Sequence, residues 1–435
     1  MTKPGHPVRP SRSFLPVRAR AAVAALAAVV TAGCAAASAA QPPVSRGVAS
    51  RVPVVSAGPY GAAQTAFGLD LLGAWCRSQP TANIVFSPAS LATGLGMAYL
   101  GARGSTATAM ARVLHLPAAS SVATEAGLRA SWTALGGLGR PGVTLAGSNR
   151  VWSDPSLLPL RSYLNAVATA YGAGVSRVPL GSNPEKARQT INASVAHDTR
   201  GHILELLPPG SLAGDSWVLT DALYLDAHWA SPFQPGLTQA GRFTTASGAP
   251  AEPRFMHGTG YRSAAAGGWT AVSLPYKGGR LAMTALLPPA GAGSGGCQVP
   301  AGPALSTLGA DLRAPGSGAT TGVALPKVSL ASHQRMNGLL GQLGMGIAFG
   351  GLADFTALSP AACCISVVEH AATLQVGERG TVGSAATAVG IQSSAGLAGI
   401  APKVVVFDRP YLMLVTDTAT GQPLFLARVA DPTAS

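Results

Sequence analysis

Residues 377–389 read Gly-Glu-Arg-Gly-Thr-Val-Gly-Ser-Ala-Ala-Thr-Ala-Val, an acid and a base followed by small or β-branched side chains with no proline. On either side the chain looks like sheet. Residues 365–376 are rich in apolar and β-branched residues, and 404–407 and 411–415 read the same way. The bland segment therefore starts and ends in sheet and resembles a strand without a partner. Nothing bulky between Gly380 and Ala388 obstructs either exposure as a loop or sideways insertion as an added strand. Two-state behaviour of that kind is itself a functional signal.

The amino terminus has the pattern of an export leader. Residues 1–20 carry Lys3, Arg9, Arg12, Arg18 and Arg20 and no acid, and the apolar run 21–32 is too short to cross a bilayer. Residues 1–40 are predicted to form this leader, which implies an extracellular or cell-surface protein. Two processing sites compete. Ala37-Ser-Ala39 ahead of Ala40 suits an ordinary signal peptidase, whereas Thr31-Ala-Gly-Cys34 resembles a lipobox that would lipidate Cys34 and anchor the chain to a membrane. Residues 41–57, rich in Pro, Val and Ser, read as a flexible tether.

Of the formal charge of +13, five positive charges lie in the leader, which leaves +8. The cations are scattered, so no nucleic-acid partner is expected. The eight histidines never fall at ligand spacing and no Cys-x-x-Cys occurs, so neither metal nor cofactor is expected. Gly-x-Ser-x-Gly, Ser-x-x-Lys, His-Glu-x-x-His and phosphate-loop signatures are all missing, which argues against a hydrolase or nucleotide enzyme. Four cysteines follow the leader: Cys76, Cys297, Cys363 and Cys364. The adjacent pair is too constrained to bond to itself easily, which makes Cys297 with Cys363 or Cys364 the pairing considered for an exported chain.

Periodicity predicts helices over 61–77, 88–100 and 105–114, and strands over 218–225, 271–274, 281–287, 323–330 and 365–376, with a closing hairpin through Asp417–Gly421. The class is mixed α and β, with helices early and strands late.

Several motifs, in order, are similar to those of the serpin family. They are Asn83-Ile-Val-Phe-Ser-Pro-Ala-Ser90, Leu100-Gly-Ala-Arg-Gly-Ser-Thr106, Ser148-Asn-Arg-Val-Trp152, Ile191-Asn192 with Thr199-Arg-Gly-His-Ile203, and the run 217–229 with Ser231-Pro-Phe233. Leu325-Pro-Lys-Val-Ser-Leu330, Ala353-Asp-Phe-Thr356, Phe407-Asp-Arg-Pro-Tyr411 and the run Gly421–Val429 complete the set. The resemblance spans about residues 60–432, and with the leader it points to an exported, bacterial-type member. It implies one domain over 58–435 with an α+β fold of three β-sheets, about eight or nine helices and an exposed reactive-centre loop, acting as a monomer.

The resemblance also implies a mechanism. A target protease cleaves the loop and forms a covalent acyl-enzyme; the freed loop then inserts into the main sheet and disables the protease. Glu378, Gly380, Thr381, Val382, Gly383, Ser384, Ala385, Ala386 and Thr387 match the hinge. Arg379 and Val382 depart from it, each standing where the family often has an acid. Scissile-bond candidates are Ser393, Ser394, Ala395, Leu397 and Ala398. No cation lies between Arg379 and Lys403, so a trypsin-like target is disfavoured and an elastase-, chymotrypsin- or subtilisin-like serine protease is expected. The alternatives are a papain-like cysteine protease as target, or a non-inhibitory member serving as a binding module. Ser87, Ser90, Asn192 and His370 match the polar region governing sheet opening, with Trp229 near the top of the sheet; Asp221 stands where asparagine is usual.

Overall fold

The computed structural model describes residues 41–212, 214, 216–289, 291, 297–313, 320–381 and 403–434. Among these, eight α-helices and three β-sheets form an α+β fold. The main sheet has seven strands, in the spatial order Val44–Arg46, Gly174–Arg177, Val143–Ser153, Trp217–His228, Gly380–Thr381, Val367–Gly377 and Val328–Arg335. A nine-stranded sheet holds the carboxy-terminal hairpin Tyr411–Asp417 and Pro423–Val429, and Phe243–Thr244 pairs with Pro250–Ala251 in a small third sheet.

Both faces of the main sheet are covered, which explains the near-continuous apolar run of Val367–Gly377. Val367, Ala371, Val218 and Ala222 pack on one side with Ile191 and Val195 of helix Pro184–Asp198. On the other side Val368 and Leu219 meet Leu91 and Leu95 of helix Pro88–Tyr99, which also contacts Pro423–Val429 of the second sheet. Local chemistry fixes where the Pro88–Tyr99 helix begins. The Ser87 hydroxyl accepts from the Ser90 N–H at 3.1 Å, and Pro88 occupies the first turn, where its missing N–H costs nothing.

Three expectations are corrected. The strand predicted over 323–330 is two strands in two sheets: Thr320–Pro326 pairs with Arg254–Ala266, and Val328–Arg335 pairs with Val367–Gly377. Pro326 lacks an N–H, and the chain changes sheet at Lys327 although its apolar pattern runs straight across. The tether expected over 41–57 is not free along its length. Val44–Arg46 adds antiparallel to Gly174–Arg177, and the Val48 N–H donates to Asn165 Oδ1 at 2.8 Å. Finally, Cys297 bonds to Cys76 rather than to Cys363 or Cys364, with Cα atoms 5.5 Å apart. Cys76 lies buried in the last turns of helix Gly58–Ser78, where Val299 also approaches Gly73, so the chain around Cys297 is carried to it.

The bridge closes a separation of 221 residues, so the constraint on the unfolded chain is large. Cys297→Ser is expected to lower stability by about 2–5 kcal/mol, read as a fall in the urea midpoint; an unchanged midpoint would show that the bridge is not a stabilising element.

Candidate functional site

Val367–Gly377 ends in a turn at Glu378 and Arg379, and the chain comes straight back as Gly380–Thr381, between its own parent strand and Trp217–His228. Thr381 stands opposite Val376 on one side and Ala227 on the other; Gly380 stands opposite Gly377 and His228. The two long strands also pair directly and in parallel, from Val367↔Val218 to Ala372↔Leu223. They are joined at one end and held apart at the other by two residues of returning chain.

Every carbonyl of the turn is held. The Trp229 N–H donates to the Arg379 carbonyl at 2.8 Å, the Phe233 N–H to the Glu378 carbonyl at 2.8 Å, and the Trp229 indole N–H to the Gly377 carbonyl at 2.9 Å. Trp229 stacks on Tyr276 at 4.5 Å, and the Tyr276 hydroxyl lies 2.5 Å from Thr381 Oγ1 with both residues fully buried. Gly380 has φ +155°, and a Cβ there would stand 2.0 Å from the Ala227 carbonyl oxygen, so no other residue passes. Glu378 fastens the turn through Lys327 Nζ at 2.9 Å and the Thr238 hydroxyl at 3.0 Å. Burial alone would raise the Glu378 carboxyl, but Lys327, its own backbone and Thr238 together hold it below the usual range.

A second polar cluster lies deeper, where the direct strand pairing is intact. His370 Nε2 accepts from the Ser87 backbone N–H at 3.1 Å, so the ring is neutral with its proton on Nδ1. Burial, with a contribution from His333, depresses His370 to about 3. Across the ladder from His370 stands Asp221. With its amide nitrogen turned inward, Asn149 donates to Ser90 Oγ at 2.5 Å and to Asp221 Oδ1 at 3.0 Å. Burial drives the Asp221 carboxyl far above the carboxylate range, and the Gly94 backbone offsets this only in part.

Of the residues expected in this cluster, Ser87, Ser90 and His370 come together, whereas Trp229 belongs to the hinge. Asn192 lies in neither. It ties helix Pro184–Asp198 to the following turn, accepting from the Leu206 and Leu207 N–H groups at 3.1 and 2.8 Å. The asparagine of the cluster is Asn149, within the run Ser148-Asn-Arg-Val-Trp152. Asp221 stands in the sequence only as a departure from the family's asparagine, and nothing local marks Tyr276, Lys327 or Thr238 as partners of the turn. Opposite charge on Lys327 and Glu378 was the one legible sign, but 51 residues separate them. Val382, Gly383, Ser384, Ala385, Ala386 and Thr387, the scissile candidates Ser393, Ser394, Ala395, Leu397 and Ala398, and Cys34 lie outside the described residues.

Comparison with known proteins agrees with this geometry. A family model described as serpin (serine protease inhibitor) matches residues 62–432. An uncharacterized serpin-like protein, TK1782, of Thermococcus kodakarensis is 31% identical over 352 residues, covering 80% of this chain and 81% of its own length. The leukocyte elastase inhibitor of Sus scrofa is 29% identical, with 85% and 99% covered. The native-state crystal structure of the thermophilic serpin tengpin superposes with a TM-score of 0.76 at 21% identity, covering 90% of this chain and all of the other. The chain belongs to the serpin family, which includes inhibitors of proteases.

Tyr276→Phe strands the buried Thr381 hydroxyl without its partner, which is expected to cost about 1–3 kcal/mol locally. Amide exchange at Thr381 should accelerate while that of the Val218–Leu223 ladder stays constant; equal acceleration of both would mean that Tyr276 supports the whole sheet rather than the hinge.

Proposed function

We propose that the chain is an exported suicide-substrate inhibitor of a serine protease with a small or aliphatic specificity pocket. One observation carries the reading: the residues opening the loop, Gly380–Thr381, already form a strand within the main sheet, with the two neighbours an inserting loop would need. Cleavage beyond the hinge releases the constraint of the far end, which is tied into the second sheet at Val404–Val406. Each further residue can then exchange ladder bonds with Val367–Gly377 and Trp217–His228, and those bonds and the newly buried side chains drive insertion. The acylated protease travels with the cleaved end.

Alternation decides which hinge residues face the core. Thr381 is fully buried and points at Tyr276, so in the inserted strand residues 383, 385 and 387 share its face while 382, 384 and 386 point the other way. Gly383, Ala385 and Thr387 are small or uncharged, and Val382, the departure from the family pattern, falls on the opposite face. The Cys76–Cys297 bridge fits an oxidising compartment and so supports export; Cys34 is the site for a lipid anchor.

Purified protein mixed with elastase, chymotrypsin, subtilisin, trypsin and papain should give, with at least one serine protease other than trypsin, a covalent complex that survives boiling in SDS. Ala385→Arg should abolish that complex and leave a cleaved substrate, because a cation would be buried without a partner. Val382→Arg should largely retain it, because the same register sets position 382 between exposed Gln375 and half-buried Asp226. Plain cleavage by every protease would defeat the inhibitor reading and favour a binding module, a papain complex alone would move the target class, and equal trapping by both arginine variants would defeat insertion. Fractionation tests the anchor: Cys34→Ala should release the protein from membranes.

A further inference from the structure

Asp221 is a fully buried acid in the middle of a strand, and among the described residues no cation pairs with it. Its Oδ1 receives the Asn149 amide, whereas Oδ2 has no hydrogen-bond partner. Helix Pro88–Tyr99 presses close enough that a Cβ on Gly94 would stand 2.6 Å from Oδ1. On the adjacent central strand the residue in register is His370, whose ring is held neutral by the Ser87 N–H. Three other titratable groups lie near the pair, and of these His333 adds to the depression of His370. His333 on the next strand is paired with Glu369 at 3.4 Å, Arg150 on Val143–Ser153 is paired with Asp198 at 2.8 Å, and burial keeps Tyr171 of helix Arg161–Tyr171 neutral. Asp221 and His370 face each other across the ladder that must separate if a loop is to pass further down between these strands.

We propose that Asp221 and His370 form a proton-coupled gate on the main sheet: the strands part by exchanging a neutral acid–imidazole pair for a carboxylate–imidazolium pair, so that opening is insensitive to mildly acid pH and becomes easier above neutrality. In the step the O–H bond of Asp221 breaks and an N–H bond forms at His370 Nε2, which the Ser87 N–H has released; no proton is gained or lost. The gate deepens the insertion reading and rests on it for its physiological use, but the opening itself needs no protease.

The signs follow from proton counts. Once wetted, the two groups return towards their ordinary values, 3.8 for Asp221 and 6.5 for His370. Between those values the open sheet holds the same number of protons as the closed one, so opening is independent of pH. Above 6.5, for as long as buried Asp221 keeps its proton, the open sheet has lost a proton that the closed one keeps, and opening is favoured by up to about tenfold per pH unit. Below 3.8 the open sheet holds one proton more, but only until His370 is protonated in the closed sheet as well, at about 3. An asparagine at position 221 would reverse the profile, since His370 alone makes opening easier with acidification below 6.5 and indifferent above it. Removing the imidazole instead extends the alkaline limb down to 3.8.

The test is the rate at which a labelled synthetic peptide with the sequence of residues 380–389 is taken up by the intact protein between pH 4 and 9. The wild type should be flat up to about pH 6.5 and then accelerate; Asp221→Asn should accelerate towards acid and be flat above 6.5; His370→Gln should accelerate from about pH 4 upwards. If the peptide does not enter, amide exchange at Leu223 and Ala372, corrected for its intrinsic pH dependence, reads the same opening. Identical profiles for wild type and Asp221→Asn, or a wild type that opens faster from pH 6.5 to 4, would overturn the gate. These profiles without any protease complex would refute the inhibitor reading and leave the gate standing, and trapping with a flat profile would do the reverse.

Discussion

Strands Val367–Gly377 and Trp217–His228 lie side by side in a parallel ladder that reaches only from Val367 to Ala372, and most of what surrounds them follows from that limit. A buried strand cannot leave its N–H and C=O groups without partners. Further up, at Val376–Gly377 and Ala227–His228, Gly380–Thr381 fills the space between the strands, and the wedge is possible only because the chain turns back within two residues through a glycine that can lie against a carbonyl. The cover on each face is adapted to the same strands, with helix Pro88–Tyr99 on one side and helix Pro184–Asp198 on the other.

The hinge and the polar cluster divide the labour. Glu378, Trp229 and Tyr276 hold the turn by contacts that a further length of inserted chain would leave in place, since they bind the residues that are already in the sheet. Asp221 and His370 lie ahead of any such chain, on the two strands it would have to separate. The upper set thus sets the starting position and the lower set resists advance. Because the lower set is built from neutral forms of two ionisable groups, its resistance comes from burial rather than from attraction, and wetting removes it.

The segment after Glu378 stands out in the sequence because it is chemically monotonous between two runs of sheet formers, a local property that needs no partner to be recognised. Long periodic helices such as Gly58–Ser78 and Pro88–Tyr99 were legible for the same reason. The failures are of a different kind. Helices Ser121–Gly136 and Gly302–Arg313 are dilute in large apolar residues and escaped the pattern, and the split at Lys327 escaped because alternation of apolar residues does not say which sheet receives them. The family resemblance groups Asn192 with His370, but Asn149 reaches the cluster because strand Val143–Ser153 pairs in register with Trp217–His228, and such register is decided by pairing over long separations. The partners of Glu378, Thr381 and Cys297 were hidden for that reason too.

Val44–Arg46, paired along the outside of Gly174–Arg177, has an implication for self-association. A sheet able to accept a strand in its interior is at risk of accepting one at its rim, from any neighbour with an extended segment. Here one rim is occupied by the molecule's own amino-terminal residues, and the opposite rim, Val328–Arg335, carries His333, Gln334 and Arg335 at its end. Lateral stacking of copies is discouraged at both borders, at one because the edge strand is only three residues long and at the other by charged side chains. The appetite of the sheet for another strand is thereby directed inward, to a single slot whose nearest candidate is covalently attached to it.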